Sequence, residues 1–228
     1  MNKKIMILEF AIISFLLIVC TVNVIGQSQY LTTSVTADKD SYVDSDHPDM
    51  THGMDQTILA GISFNDTLYE IFMGFSLNNS PQGWISAEIS FTLFDLVQIL
   101  NISIWLIEEH WEESTLTWNN KPAQGELITS FNVTQDDTYT FDITDFVGNR
   151  NNISICVNAT KTFPHEDFEV FSREFGAETV RPQLIWTYPN PNPPSSIGGY
   201  DVLIFLGIAL ISIFSYSLMR KHKQKSTD

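Results

Sequence analysis

Cysteine is nearly absent from this 228-residue chain: Cys20 lies inside an apolar run near the start, and Cys156 is alone in the remainder. A disulfide framework and a cysteine-ligated zinc site are therefore excluded for the central part, whose stability must come from its core. Basic residues are also scarce. Between Gln27 and Asp201 there are 6 Lys and Arg against 25 Asp and Glu, a net of −19, while the other 6 basic residues sit at the two ends. So acidic a body repels phosphate backbones, which excludes nucleic acid as a natural partner, and an anionic lipid surface suits it no better. A 3.6-residue apolar stripe is missing throughout the same stretch, so a helical bundle is excluded as well.

Apolar residues, by contrast, make up 43% of the chain, enough for one sizeable core. Part of that content is concentrated at the ends. Lys3 and Lys4 precede an uncharged apolar run that closes in Asn23-Val24-Ile25-Gly26-Gln27, the order of a secretory signal peptide over residues 1–26, with an uncleaved anchor as the alternative. Residues 202–219 would form a helix roughly 27 Å long, close to the hydrocarbon thickness of a bilayer. The basic flank Arg220-Lys221-His222-Lys223 places residues 220–228 in the cytoplasm as a short tail. Four prolines and a Ser/Gly joint in residues 189–201 read as an extended stalk. The expectation is a single-pass cell-membrane protein whose body, residues 27–188, is extracellular.

Within that body the apolar pattern has period two. Ile85, Ala87, Ile89, Phe91 and Leu93 alternate with Ser86, Glu88, Ser90 and Thr92, and similar runs occur at Ile58/Ala60/Ile62/Phe64, Ile71/Met73/Phe75/Leu77, Ile102/Ile104/Leu106, Ile153/Ile155/Val157 and Leu184/Trp186. Turn-rich pieces such as Asn78-Asn79-Ser80-Pro81-Gln82-Gly83 separate them. The pattern predicts an all-β fold, a single antiparallel β-sandwich of jelly-roll type. Six Asn-x-Ser/Thr sequons, at Asn65, Asn78, Asn101, Asn132, Asn152 and Asn158, fit an exported surface, either as glycan acceptors or as ordinary polar turn composition.

Several strings, read in order, resemble one family. Ala37-Asp38-Lys39-Asp40-Ser41-Tyr42-Val43 looks like an opening-strand signature, and His52-Gly53 followed by Thr57-Ile58-Leu59-Ala60-Gly61 takes the place of an Asn-x-Gly turn and its strand. Trp111-Glu112-Glu113-Ser114-Thr115-Leu116-Thr117-Trp118-Asn119-Asn120-Lys121-Pro122 is similar to Trp-x-Glu-x-x-Leu-Thr-Trp-x-Asn-x-Pro, and Phe171-Ser172-Arg173-Glu174 with Arg181-Pro182-Gln183-Leu184 looks like the closing motif. Together these resemble the DNRLRE, or disaggregatase-related, domain, which overlaps carbohydrate-binding module family ninety-six. The resemblance implies an extracellular β-sandwich that recognises polysaccharide or serves as a surface module, attached in some members to lyases or hydrolases.

Candidate site residues follow from chemistry. Trp84, Trp105, Trp111 and Trp118 could stack on the apolar face of a pyranose, with core packing as the competing use of each indole. Arg173 could hold a sugar carboxylate, or, standing beside Glu174, it could fix strand register in a buried charge network with Asp38 or Asp142. Asp38, Asp40, Asp44 and Asp46 offer hard oxygen ligands within a short turn-rich segment and fit either a structural calcium or a merely acidic loop. Glu108, Glu109, Glu112 and Glu113 surround His110, and paired carboxylates are what glycoside hydrolysis needs; a solvated acidic loop is the plainer reading. The expected function is therefore non-catalytic binding of a polysaccharide or cell-surface glycan, or surface adhesion. The alternatives are a purely structural envelope module and, third, a polysaccharide lyase or hydrolase.

Overall fold

The computed structural model describes residues 29–96, 98–159 and 166–192. The expected signal peptide, membrane helix, basic tail and most of the stalk lie outside these residues. Among those described, no helix is long and apolar enough to cross a membrane. Tyr30–Pro189 forms one compact unit.

Among the described residues eleven strands build it: β1 (Tyr30–Thr36), β2 (Lys39–Asp44), β3 (Thr57–Ile62), β4 (Leu68–Ser76), β5 (Ser86–Phe94), β6 (Leu100–Ile107), β7 (Leu127–Val133), β8 (Asp137–Asp142), β9 (Asn152–Ala159), β10 (Glu166–Phe171) and β11 (Gln183–Pro189). A single helical turn, α1 (Thr144–Val147), follows β8. Every pairing between the described strands is antiparallel. One layer runs β1-β11-β5-β8 and the other β2-β4-β9-β6-β7. β10 joins them, because it pairs with β5 at Leu93 and Phe94 and with β3 along its length, and β3 in turn reaches β4. The expected sandwich is thus one sheet curled on itself. At the opposite border rings meet across the layers, Phe131 lying 5.9 Å from Tyr139 and 6.4 Å from Phe141. β1 and β11 are register partners from Tyr30↔Pro189 to Thr36↔Gln183, so the chain enters and leaves the unit side by side.

Alternation decides which residues fill the space between layers. Ala87, Ile89, Phe91 and Leu93 of β5 face Ile71, Met73 and Phe75 of β4 and Ile153, Ile155 and Val157 of β9, all fully buried or nearly so. Two residues of the predicted inward set are displaced. Phe64 is 78% exposed because β3 ends at Ile62 and the chain turns through Asp66, whose φ is 63°; Ile85 precedes β5 and is 47% exposed.

A second cluster lies on the other side of the β4-β9-β6 layer. Phe72 and Cys156, which neighbour the inward residues of their strands, pack with Val43, Ile107, Trp111 and Leu116 beneath residues 108–122. The segment carrying the tryptophans therefore covers the outer face of a sheet. Phe72 has no exposed surface, so truncating it removes apolar burial and leaves a cavity. Phe72→Ala is expected to lower the unfolding free energy by about 3–5 kcal/mol in urea titrations, as a main-core residue would; a loss below about 1 kcal/mol would mean that the 108–122 segment is not packed down.

Candidate functional site

Three motif segments meet at one buried carboxylate. Asp40 on β2 is 1% exposed. Its backbone N–H donates to Glu113 Oε1 at 2.9 Å, and its Oδ2 accepts the backbone N–H of Arg173 at 2.7 Å. Arg173 turns its Nε to Glu174 Oε1 at 2.6 Å and stands 3.5 Å from Glu113 Oε1. Ser172 ties this segment to the 45–56 loop by donating its hydroxyl to the Asp55 carbonyl at 2.6 Å. Gly53 completes the approach, since a Cβ there would lie 2.3 Å from Glu113 Cγ and 2.7 Å from its carbonyl oxygen; no larger residue fits without moving backbone. His52 next to it is stacked on Tyr42 at 4.0 Å and meets Asp55 Oδ2 at 3.0 Å. On the far side the Lys39 ammonium bonds the Trp111 carbonyl and lies 4.2 Å above the Trp111 ring.

The electrostatics of this cluster are unusual. Burial pushes the Asp40 carboxyl up to about 8; the Arg173 N–H opposes the rise, and the neighbouring Glu174 and Glu113 add to it. Burial raises Glu113 too. Asp40 Oδ1 is buried with no hydrogen-bond partner. Asp40, Glu113 and Glu174 each bring an oxygen within 4.8 Å of the others, spacing that suits a divalent cation; in the structure the positive charge beside them belongs to Arg173.

The four aspartates expected to share calcium are not gathered. Asp38 is exposed and Asp40 joins Glu113 and Glu174. Asp44 accepts the Asp46 N–H at 2.8 Å and meets His47 Nδ1 at 2.7 Å, while Asp46 accepts the Thr67 hydroxyl at 2.7 Å. These local bonds shape the loop. The glutamates around His110 are likewise dispersed: Glu108 forms a two-bonded pair with Arg150 at 2.6 and 2.8 Å, Glu112 pairs with His110, and Glu113 is in the buried cluster. An open hollow of about 620 Å³ beside Arg150, lined also by Glu126, Asp145 and Phe146, contains none of the expected sugar-binding residues.

The tryptophans divide into two groups. Trp111 is 4% exposed against Phe72, and Trp84 leans on Trp186 at 5.1 Å at the margin of the main core. Trp105 and Trp118 are half-buried at the border of the second cluster. Trp105 donates its indole N–H to Asn158 Oδ1 at 3.3 Å; the Lys121 ammonium lies 3.5 Å over the Trp118 ring and 2.8 Å from Glu70. Sequence reasoning passed over Lys121 and Asn158 as partners of these rings. The period-two run Asn101-x-Ser103-x-Trp105 carried the signal, because it puts all three on one side of β6.

A curled antiparallel sheet, with its motif residues drawn into one charge cluster and two tryptophans half-covered on an outer face, defines an all-β module. The chain belongs to carbohydrate-binding module family 96, whose model matches residues 31–188. Among solved structures, the chain is similar to the enzymatically active domain of bacteriophage CBA120 tailspike protein 4, with 9% identity and a TM-score of 0.25, covering 72% of this chain and 20% of that one. It is also similar to TmCBM61 in complex with β-1,4-galactotriose, with 11% identity and a TM-score of 0.24, covering 72% of this chain and 90% of that one. The chain thus spans a fifth of the tailspike domain. No curated protein matches it.

Asp40 predicts a pH dependence. In chelator-containing buffer, between the ordinary carboxylate range and about 8, the folded state keeps a proton that the unfolded chain has lost, so stability falls as pH rises through that window. Chemical denaturation at successive pH values is expected to show this slope, approaching about 1.4 kcal/mol per pH unit at its steepest. Asp40→Asn, which keeps an acceptor for the Arg173 N–H, should flatten it.

Proposed function

We propose that this protein is a surface module that binds polysaccharide without cleaving it, exported and held at the cell membrane by the helix expected over residues 202–219. The observation that carries the reading is family membership across the whole strand-bearing unit. The site geometry supports a non-catalytic role, since Glu108, Glu112 and Glu113 are each committed to a different partner. Of the expected sugar contacts, Trp105 and Trp118 fit best. Both stand at the border of the second cluster on the outer face, whereas Trp111 is buried, Trp84 leans on Trp186 beside the main core and Arg173 is taken up by Glu174.

Affinity electrophoresis of the detergent-solubilised full chain through polysaccharide gels tests this reading. At least one polysaccharide should retard the protein, and Trp105→Ala or Trp118→Ala should weaken retention about tenfold, or about 1.4 kcal/mol. Absence of retardation by every polysaccharide would leave a structural envelope role in its place. Anchoring has its own measurement: protease treatment of intact cells should release fragments of residues 27–188 and spare residues 202–228, whereas protection of the body would overturn the expected orientation.

A further inference from the structure

We propose that Asp40, Glu113 and Glu174 form a calcium site that clamps β2, residues 108–122 and the segment after β10 to one another. The site is separate from the polysaccharide reading above and does not depend on it. Asp40 sets this group apart from an ordinary acidic cluster. It is 1% exposed, its Oδ2 accepts the Arg173 N–H at 2.7 Å, and its Oδ1 is buried without a hydrogen-bond partner. A carboxylate oxygen withdrawn from water needs a proton donor or a cation. The side chains whose oxygens approach Asp40 within 4.8 Å are Glu113 and Glu174, which have no proton to give when ionised. Glu174 comes close enough to Asp40 for the two carboxyls to share a proton, so the buried carboxyl is turned into the group.

Charge leaves room for a divalent ion. Arg173 offsets one of the three negative charges, through Nε to Glu174 Oε1 at 2.6 Å and to Glu113 Oε1 at 3.5 Å, while the Lys39 ammonium is drawn off to the carbonyl and ring of Trp111. Donor type then selects the ion. The group holds carboxylates and neither histidine nor cysteine, which suits a hard cation and not zinc or copper. Two oxygens on opposite sides of one calcium lie about 4.6–5.2 Å apart, so three that already stand within 4.8 Å of one another can close on it with little movement. Magnesium draws its ligands closer and gives up water reluctantly. The Glu113 and Glu174 side chains keep 18% and 16% of their surface, so the group is closed at Asp40 and open at the glutamates. That opening gives an ion its way in and lets water complete a shell of about six to eight oxygens.

The ligands come one from each of three motif segments that are distant in the chain, so a shared ion adds a bond from every segment to one centre. Of the acidic run expected to hold calcium, Asp40 is the one member that reaches a convergent set among the described residues. Its partners are glutamates far along the chain, not the neighbouring aspartates.

The test strips the detergent-solubilised full chain with a chelator and titrates calcium back, following heat by calorimetry and unfolding by tryptophan fluorescence. Calcium is expected to bind, and at about a hundredfold excess over its Kd to raise the melting temperature by about 5–10 °C; magnesium at the same concentration should raise it less. Glu113→Gln and Glu174→Gln, which keep shape and remove charge, should each weaken calcium by roughly tenfold or more and remove most of that rise. If neither variant folds, terbium on the unaltered chain decides. Indole excitation should light the bound ion, calcium should displace it, and Trp111→Phe, two residues before Glu113, should dim the emission while calcium still binds. An unchanged melting temperature with no heat of binding would overturn the site and leave a shared proton between Asp40 and Glu174. Calcium binding that survives both glutamine substitutions, or terbium emission undimmed by Trp111→Phe, would put the ion elsewhere and overturn it as well.

Discussion

Burying the carboxylate of Asp40 is the constraint on which the rest of the structure depends. A carboxylate removed from water must find donors or hold its proton, and either course restricts its neighbours. Here Arg173 supplies a backbone N–H to it, Glu113 accepts its own N–H, and Glu174 shares the space. Those contacts draw together β2, the segment after β10 and residues 108–122, which are far apart in the chain. Gly53 then brings the 45–56 loop against Glu113. Once Glu113 is seated, Trp111 and Leu116 are carried onto the outer face of β4 and β9, so the second core follows from the charge cluster.

The strands were legible because their residues alternate. Ala87, Ile89, Phe91 and Leu93 point to one core and needed no other information. Phe64 misled, because periodicity continues past a turn that Asn65 and Asp66 impose. The second core had a weaker signature: Ile71-Phe72-Met73 is apolar on both faces of a strand, which signals cover on both sides but does not say what supplies it. The charge cluster was legible only in pieces. Sequence brought Arg173 and Glu174 together as neighbours, but the acidic run from Asp38 to Asp46 suggested that those aspartates would converge, whereas alternation turns Asp40 inward and local hydrogen bonds occupy Asp44 and Asp46.

The motifs that resemble the family are therefore mainly architectural. Asp40, Gly53, Trp111, Glu113, Arg173 and Glu174 hold the frame in place. The outward residues of β6, β7 and β9 lie outside those motifs, on a surface that can change without disturbing the cluster beneath residues 108–122. Separation of this kind lets one frame present different faces to different ligands.

The pairing of β1 with β11 has a mechanical and modular consequence. With Tyr30 opposite Pro189, a pull that separates the two ends meets the hydrogen bonds of this pair one after another, as in a zipper, rather than all together in shear. The outermost bonds would give way at modest force while the curled sheet behind them kept its shape. Paired ends also mean that the unit can be spliced into a loop of a host protein by joining two neighbouring chain positions, without stretching either partner.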